Sequence, residues 1–253
     1  MGQFAGKAVI VTGGNSGIGK AAALAFAREG ARVAIGARSV NAGRETVELI
    51  ETEGGQAIFV QCDVTRTADV ERLVACTVAT FGRLDIAFNN AGIAGDRMPL
   101  AELTEEQFER VVDVNVKGVW RCMKHEIPAM LKTGGGCIVN CSSTAAFKTG
   151  RGLSSYTTTK AALLGMTKAA AVDYARLGIR VNAVCPSIVD GGMAVESMRL
   201  DDAKTAVALA KAHPMGRLCR VEEVAQVILW LCSDGASFVT GEALLVDGGF
   251  LSV

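Results

Sequence analysis

Histidine is nearly missing from this chain. Its 253 residues include only His125 and His213, and neither stands at ligand spacing from any of the eight cysteines. No two cysteines have the C-x-x-C spacing, so neither a structural nor a catalytic zinc is expected. Cys137 and Cys141 fall four apart in a strand-like run, which separates them by about 13 Å, too far for a disulfide. The thiols are therefore expected to be reduced and mostly buried, in a cytoplasmic protein. Net charge is missing too. Lys+Arg and Asp+Glu both number 26, which argues against nucleic acid or an anionic membrane surface as the main partner. No apolar run is long enough to span a bilayer. The start, Met1-Gly-Gln-Phe-Ala-Gly-Lys7, lacks the charged region and apolar stretch of a secretory signal. Gly2 suggests myristoylation, but Gly6 occupies the position where Ser or Thr is wanted. Proline is scarce as well, 4 residues against 29 glycines, which points to tight turns and close backbone approaches rather than a disordered linker.

What is present is an alternation. Strand-like runs are expected at Ala8–Val11, Arg32–Gly36, Ala57–Gln61, Asp85–Phe88, Cys137–Cys141, Arg180–Val184 and Ala243–Val246. Helices are expected at Ile18–Arg28, Ala42–Glu53, Ala68–Phe81, Glu105–Leu131 (continuous or interrupted), Ser155–Arg176, Asp201–Lys211 and Val221–Leu231. This order predicts one α/β domain with a parallel sheet covered by helices on both faces. No composition shift or internal repeat divides it. Ser187–Leu200 has no clear period, and an irregular stretch of that length in a compact domain reads as a lid.

Thr12-Gly-Gly-Asn-Ser-Gly-Ile-Gly19 sits between the first strand and the first helix. Gly13 permits a tight turn, while Gly17 and Gly19 allow a pyrophosphate to approach the backbone and the helix N-terminus. Further along, Tyr156 and Lys160 are i and i+4, on one face of a helix. An ammonium beside a phenol favours the phenolate, which makes a tyrosine usable as an acid or base. Taken alone, such a pair is common on solvated helices. Here it follows Asn89-Asn-Ala-Gly92, Asn115 in Asp113-Val-Asn-Val-Lys117, and Ser143, thirteen residues before the tyrosine.

With these motifs in order, the chain resembles the short-chain dehydrogenase/reductase family, of the type with about 250 residues and a Tyr-x3-Lys pair. The likeness runs from about Ala5 to Gly249, including Val239-Thr-Gly-Glu-Ala-Leu-Leu-Val-Asp-Gly-Gly249. It implies a Rossmann-type doubly wound sheet of about seven strands. It also implies a catalytic set of Asn115, Ser143, Tyr156 and Lys160. In this set Tyr156 exchanges the proton and Lys160 holds the nicotinamide ribose. Ser143 bonds the substrate oxygen where charge develops, and Asn115 holds a water leading to Lys160. The cofactor is implied to lie against Gly13, Asn15, Ser16, Gly17, Ile18, Gly19, Asp63, Val64, Asn90, Ala91, Gly92, Tyr156, Lys160, Pro186 and Ile188. Asp63 matches the family's adenine contact; as a simpler alternative it caps the helix beginning near Thr67. At the end of the second strand Gly36-Ala37-Arg38-Ser39 offers no carboxylate, and Arg38 suits a 2′-phosphate, so NADP(H) is expected over NAD(H). The Tyr-x3-Lys spacing is similar to the carbonyl/alcohol branch, not to the Tyr-x6-Lys of enoyl reductases.

Two departures from the family pattern stand out. Ser187 replaces the glycine usual after Pro186, and Gly191 stands where a threonine near the nicotinamide carboxamide is usual. Gly191→Thr is accordingly expected to tighten NADP(H). Ala146 stands where a glycine is common. By family analogy the substrate pocket takes in Ala94, Gly95, Ser143, Ala145, Phe147, Leu153, Tyr156, Ser187, Met193 and Met198, with a lid at about 187–213. Lys148 and Arg151 either face an acidic substrate or are solvated. Lys117, Arg121 and Lys124 share a helix face that either receives an acyl carrier protein or is a solvated or subunit-contact surface. The resemblance also implies a homotetramer, or at least a dimer, through Glu105–Leu131, Ser155–Arg176 and the C-terminal segment. Sugar, dihydrodiol and hydroxysteroid dehydrogenases remain open, as does a nucleotide-binding regulator without turnover.

Overall fold

Strand β1 (Ala8–Thr12) is buried at every position, as expected of a parallel strand covered on both faces. The computed structural model describes residues 2–193 and 203–253. In it β1 lies inside a parallel sheet with β2 (Arg32–Ala37), β3 (Gln56–Gln61), β4 (Ile86–Asn89), β5 (Gly136–Cys141) and β6 (Ile179–Pro186). After β7 (Val189–Asp190) and β8 (Cys219–Arg220), β9 (Ala243–Val246) closes the sheet. Among the described residues the seven sheet strands run β3-β2-β1-β4-β5-β6-β9. The helices are α1 (Gly17–Arg28), α2 (Val40–Thr52), α3 (Thr67–Phe81), α4 (Glu105–Val112), α5 (Gly118–Leu131), α6 (Ser154–Tyr174), α7 (Ala203–Lys211) and α8 (Val221–Cys232).

The period of two along each strand sorts the core into two layers. Val9, Val11, Val33 and Ile35 join Phe26 of α1 and Ile228 of α8 on one face. Ala8, Ile10 and Ala34 join Leu73 of α3, Ile127 of α5 and Leu163 of α6 on the other. Thr12 pairs with Gly36 on one side and Asn89 on the other. The chain thus leaves β1 and β4 in opposite directions, and the carboxyl ends of these two strands form the switch point at which such sheets bind ligands.

The expected long helix is two helices. Thr104 starts α4 with a capping box: its hydroxyl accepts from the Gln107 N–H at 3.3 Å and the Gln107 side chain accepts from Thr104 N–H at 3.0 Å. A π turn over Asp113–Lys117 separates α4 from α5 and carries the buried Asn115. Such wide turns inside helices often mark functional positions. The stretch after Ser187 is not wholly irregular. Val189 and Asp190 pair in parallel with Cys219 and Arg220, a ribbon of two residues per strand, too short to show any period. Met198 lies outside the described residues, as does the expected start of α7 at Asp201. No helix among the described residues is long and apolar enough to cross a membrane, and none of the eight cysteines is in a disulfide.

Candidate active site

The turn after β1 is tied to β4. Thr12 Oγ1 accepts the N–H groups of Asn90 at 3.0 Å and Ala91 at 3.2 Å, and Asn90 Nδ2 donates to the carbonyls of Thr12 at 3.2 Å and Gly13 at 3.3 Å. The Asn90 amide is therefore occupied in holding this loop. Gly19 packs where no side chain fits: a Cβ there would lie 2.6 Å from Asn90 Nδ2 and closer still to the Gly13 carbonyl oxygen. Ser16 is the N-cap of α1, yet its side chain makes no cap bond and the first turn holds no acidic residue. The positive end of α1 and the Ser16 hydroxyl are thus left to an anion. Ile18, half-buried, packs against the core, and Asn15 is also half-buried.

Arg38 is exposed at the end of β2, with no carboxylate within ion-pair distance among the described residues. Asp63 does not cap α3. Its Oδ1 accepts from Thr65 N–H at 3.0 Å and Thr65 Oγ1 at 2.8 Å, and its own N–H donates to Asp69 Oδ2 at 3.1 Å. Val64 is buried, with its side chain against Gly118.

Lys160 is only 4% exposed and has no ion-pair partner among the described residues. Its Nζ donates to the Cys141 carbonyl at 2.7 Å and lies 5.5 Å from the centre of the Tyr156 ring. Gly92 shows how tightly the set converges: a Cβ there would sit 3.2 Å from Asn115 Oδ1 and 3.7 Å from Lys160 Nζ. Asn115 grips the backbone of Ile93 in both directions, accepting its N–H at 2.8 Å and donating to its carbonyl at 2.9 Å. Its second amide hydrogen goes to Thr159 Oγ1 at 3.1 Å. Both hydrogens are committed, so a water can be held only at Oδ1 or the main-chain carbonyl. The two serines divide the work. Ser142 is buried and donates to the Lys160 carbonyl at 2.8 Å. Ser143 is half-buried, accepts from Ala145 N–H at 3.1 Å and reaches the Pro186 carbonyl at 3.5 Å, a weak bond. The Tyr156 hydroxyl bonds no described residue.

Of the expected pocket residues, Ala145 is 9% exposed, Phe147 52% and Met193 37%. The Ile188 carbonyl accepts from Cys219 N–H at 3.3 Å. Gly191 lies over the glycine turn after β1, its carbonyl oxygen 3.1 Å from where a Cβ of Gly17 would be. Gly191 has φ 72°, in the left-handed region where a β-branched residue is strained. The expected gain from Gly191→Thr is therefore withdrawn: the backbone is built for glycine.

Lys117, Lys124, Lys148 and Arg151 are exposed, and Lys124 and Lys148 also meet groups of the same chain. Lys148 lies 5.1 Å over the Phe250 ring and donates to the Val253 carbonyl at 3.3 Å, both in the C-terminal segment. Arg121 pairs with Asp113 at 2.8 Å and donates to the Val64 carbonyl at 3.3 Å, while Lys124 lies 4.9 Å over Trp120. Of the expected basic face only Arg121 is in an ion pair among the described residues; Lys117 and Lys124 remain exposed. Burial pushes the Cys185 thiol up to about 12 and raises that of Cys141, so the two cysteines beside the site are poor nucleophiles.

Sequence reasoning missed a buried acid. Val119, Cys122, Met123, Ile127 and Met130 form the core-facing stripe of α5, and Glu126 lies within it, 1% exposed. A lone carboxylate in an apolar helical stripe was the available signal. Burial pushes Glu126 up to about 8, against the pull of its bond from Asn89 Nδ2 at 3.0 Å. Asn89 Nδ2 also donates to Asn140 Oδ1 at 3.2 Å, and Asn140 passes a bond to Thr167 Oγ1 at 3.0 Å. Asn89 Oδ1 has no donor. A neutral carboxyl carries the O–H this oxygen lacks.

The family model described as "Enoyl-(Acyl carrier protein) reductase" matches residues 13–251. The 2,5-dichloro-2,5-cyclohexadiene-1,4-diol dehydrogenase of Sphingobium indicum is 43% identical, with all of both chains covered. The cyclohexanol dehydrogenase of Acinetobacter sp. is 40% identical over 99% of this chain and 97% of that one. The crystal structure of levodione reductase superposes with a TM-score of 0.95 at 32% identity, covering 99% of each chain.

Proposed function

The chain belongs to the short-chain dehydrogenase/reductase family, and from that premise we propose that it is an NADP(H)-dependent oxidoreductase interconverting a ketone or aldehyde and an alcohol, with cyclic secondary alcohols as its substrate class. The observation that carries this reading is the buried Lys160 ammonium, without a carboxylate partner among the described residues, beside the Tyr156 ring. The relatives' cyclic alcohols and diol support the substrate class. The Tyr156-x3-Lys160 spacing resembles the carbonyl/alcohol branch of the family, which supports carbonyl chemistry over the enoyl reduction in the family model's description.

The dinucleotide fits the residues present. The glycine cradle and the uncapped α1 N-terminus suit its pyrophosphate, Asp63 its adenine, Arg38 a 2′-phosphate, and Lys160 its nicotinamide ribose. When bound, the nicotinamide supplies or takes up the hydride. In reduction the Tyr156 hydroxyl gives its proton to the carbonyl oxygen; in oxidation the phenolate takes it from the alcohol. The Lys160 charge stabilises the phenolate and any oxyanion beside it. Ser143 leaves its weak bond to Pro186 to donate to the reacting oxygen. Asn115 holds the Ile93 backbone and the water path to Lys160. The segment at about 187–213 acts as the substrate lid, supported by Gly191 lying against Gly17.

Cyclohexanol oxidation, followed by the absorbance of the reduced cofactor, tests the reading. We expect turnover that is faster with NADP+ than with NAD+ at subsaturating cofactor. We also expect Arg38→Asp to lower kcat/KM for NADP+ by about 10- to 100-fold, as loss of a charge-assisted bond implies. No turnover across a panel of cyclic alcohols and ketones would sink the activity; a wild-type preference for NAD+ would sink the cofactor assignment alone.

A homotetramer completes the proposal. Trp120 on α5 is 49% exposed and Val172 on α6 81%, while Trp230, Phe238 and Leu245 near the C-terminus are 44%, 102% and 40% exposed. Such apolar surfaces suit subunit contacts. Light scattering should give a mass about four times 26.3 kDa; a monomer mass overturns the assembly.

A further inference from the structure

Ser187, the residue that departs from the family's glycine, is held by a histidine. Its Oγ lies 2.8 Å from Nε2 of His213, just beyond the end of α7. The other ring nitrogen, Nδ1, lies 2.8 Å from the Leu209 carbonyl. A carbonyl can only accept, so Nδ1 carries the hydrogen. In the neutral ring Nε2 is then an acceptor, and the Ser187 hydroxyl must donate to it. His213 is 2% exposed and its ring centre is 5.2 Å from that of Phe250, so the imidazole is fixed by packing as well as by bonding. Ser187 is half-buried, its own N–H bound to the Val246 carbonyl at 3.1 Å. It directly follows Pro186, whose carbonyl faces Ser143 Oγ.

With its hydrogen turned toward His213, Ser187 Oγ has only lone pairs left to offer. It can accept from a ligand N–H or O–H, and it meets a ligand carbonyl or carboxylate with like polarity. We propose that Ser187 and His213 form an acceptor subsite for a second hydroxyl on the ring of the substrate, so that the enzyme prefers cyclic diols over the matching mono-alcohols. The inference rests on the alcohol-oxidising reading above and narrows it. Ser187 makes the contact; His213 is a positioning residue that sets which way the serine hydroxyl points. The nicotinamide carboxamide is another N–H donor of suitable chemistry, and the experiment separates the two.

The quantity to measure is kcat/KM for cis-cyclohexane-1,4-diol divided by that for cyclohexanol. Ser187→Ala should lower this ratio by about five- to tenfold, the effect of one neutral hydrogen bond. His213→Leu should lower it similarly. His213→Gln, whose carbonyl oxygen can accept from Ser187, should restore it to within threefold of wild type. The Kd for NADPH, read by fluorescence, should stay within twofold in Ser187→Ala. If wild type oxidises both alcohols and Ser187→Ala leaves the ratio unchanged, the subsite is refuted while the alcohol-oxidising reading stands. A weakened NADPH Kd with an unchanged ratio assigns the acceptor to the carboxamide and also refutes it. Oxidation of neither alcohol by wild type refutes the broader reading first. Should His213→Leu fail to fold, Ser187→Ala decides by itself.

Discussion

Replacing Tyr156 with phenylalanine is expected to lower kcat for cyclohexanol oxidation by about 10³-fold, within the range of 10²–10⁴ that a positioned acid or base contributes. The change removes one oxygen and keeps the ring. That oxygen bonds no described residue, so no hydrogen bond among the described residues is lost and the melting temperature should stay within about 2 °C. In the proposed reading the dinucleotide is held mainly by Gly13–Gly19, Arg38 and Lys160, and phenylalanine keeps the Tyr156 ring, so the Kd for NADPH should move by less than about threefold. The loss should therefore fall on kcat with the cofactor still bound, the pattern of a group that acts in the transition state. A variant retaining more than a tenth of wild-type kcat would remove Tyr156 from the proton transfer. An equal loss in NADPH affinity would assign it to binding instead.

Glu126→Gln is expected to stabilise the protein at pH 8 by about 3–5 kcal/mol, with little effect at pH 4.5. The sign follows from the direction of the shift. Burial raises the folded-state Glu126 to about 8, from an ordinary 4.5. Below pH 4.5 the carboxyl is protonated in both the folded and unfolded states and no stability is lost. As pH rises from 4.5 to 8 the unfolded chain releases the proton while the folded chain retains it. Each unit of pH then lowers the wild-type stability by about 1.4 kcal/mol, until the folded carboxyl also ionises. Glutamine carries no such proton. It keeps a carbonyl to accept from Asn89 Nδ2. Urea denaturation at several pH values checks this. Parallel pH dependences for wild type and variant would show that Glu126 is ionised, or solvated, in the folded state.

The Asn89–Glu126 pair also explains the second role of Asn89-Asn-Ala-Gly92. As a motif it marks a cofactor loop. In three dimensions Asn89 bonds downward to Glu126 and Asn140, and Asn90 bonds sideways to the Thr12–Gly13 turn. Both asparagines place the loop, and Gly92 leaves room between Asn115 and Lys160. Helix and strand positions could be read in advance because they follow periods of a few residues. Even the break in Glu105–Leu131 was open to expectation, although only the structure gave it the form of a π turn around Asn115.

By itself the sequence determined the order of strands and helices, the glycine turn at the α1 N-terminus, and Tyr156 and Lys160 on one helix face. Each is a local property, set by neighbours within about one turn or one loop. The folded chain alone shows which serine is buried against Lys160, that Asn90 is spent on the Thr12–Gly13 turn, and that Gly191 has a backbone suited to glycine. It alone joined Ser187 to His213, 26 residues apart, and Asn89 to Glu126, 37 apart. Those contacts depend on strand register and on how helices settle onto the sheet. A polar residue within a helical pattern looks the same in sequence whether it meets water or, like Glu126, a single buried amide.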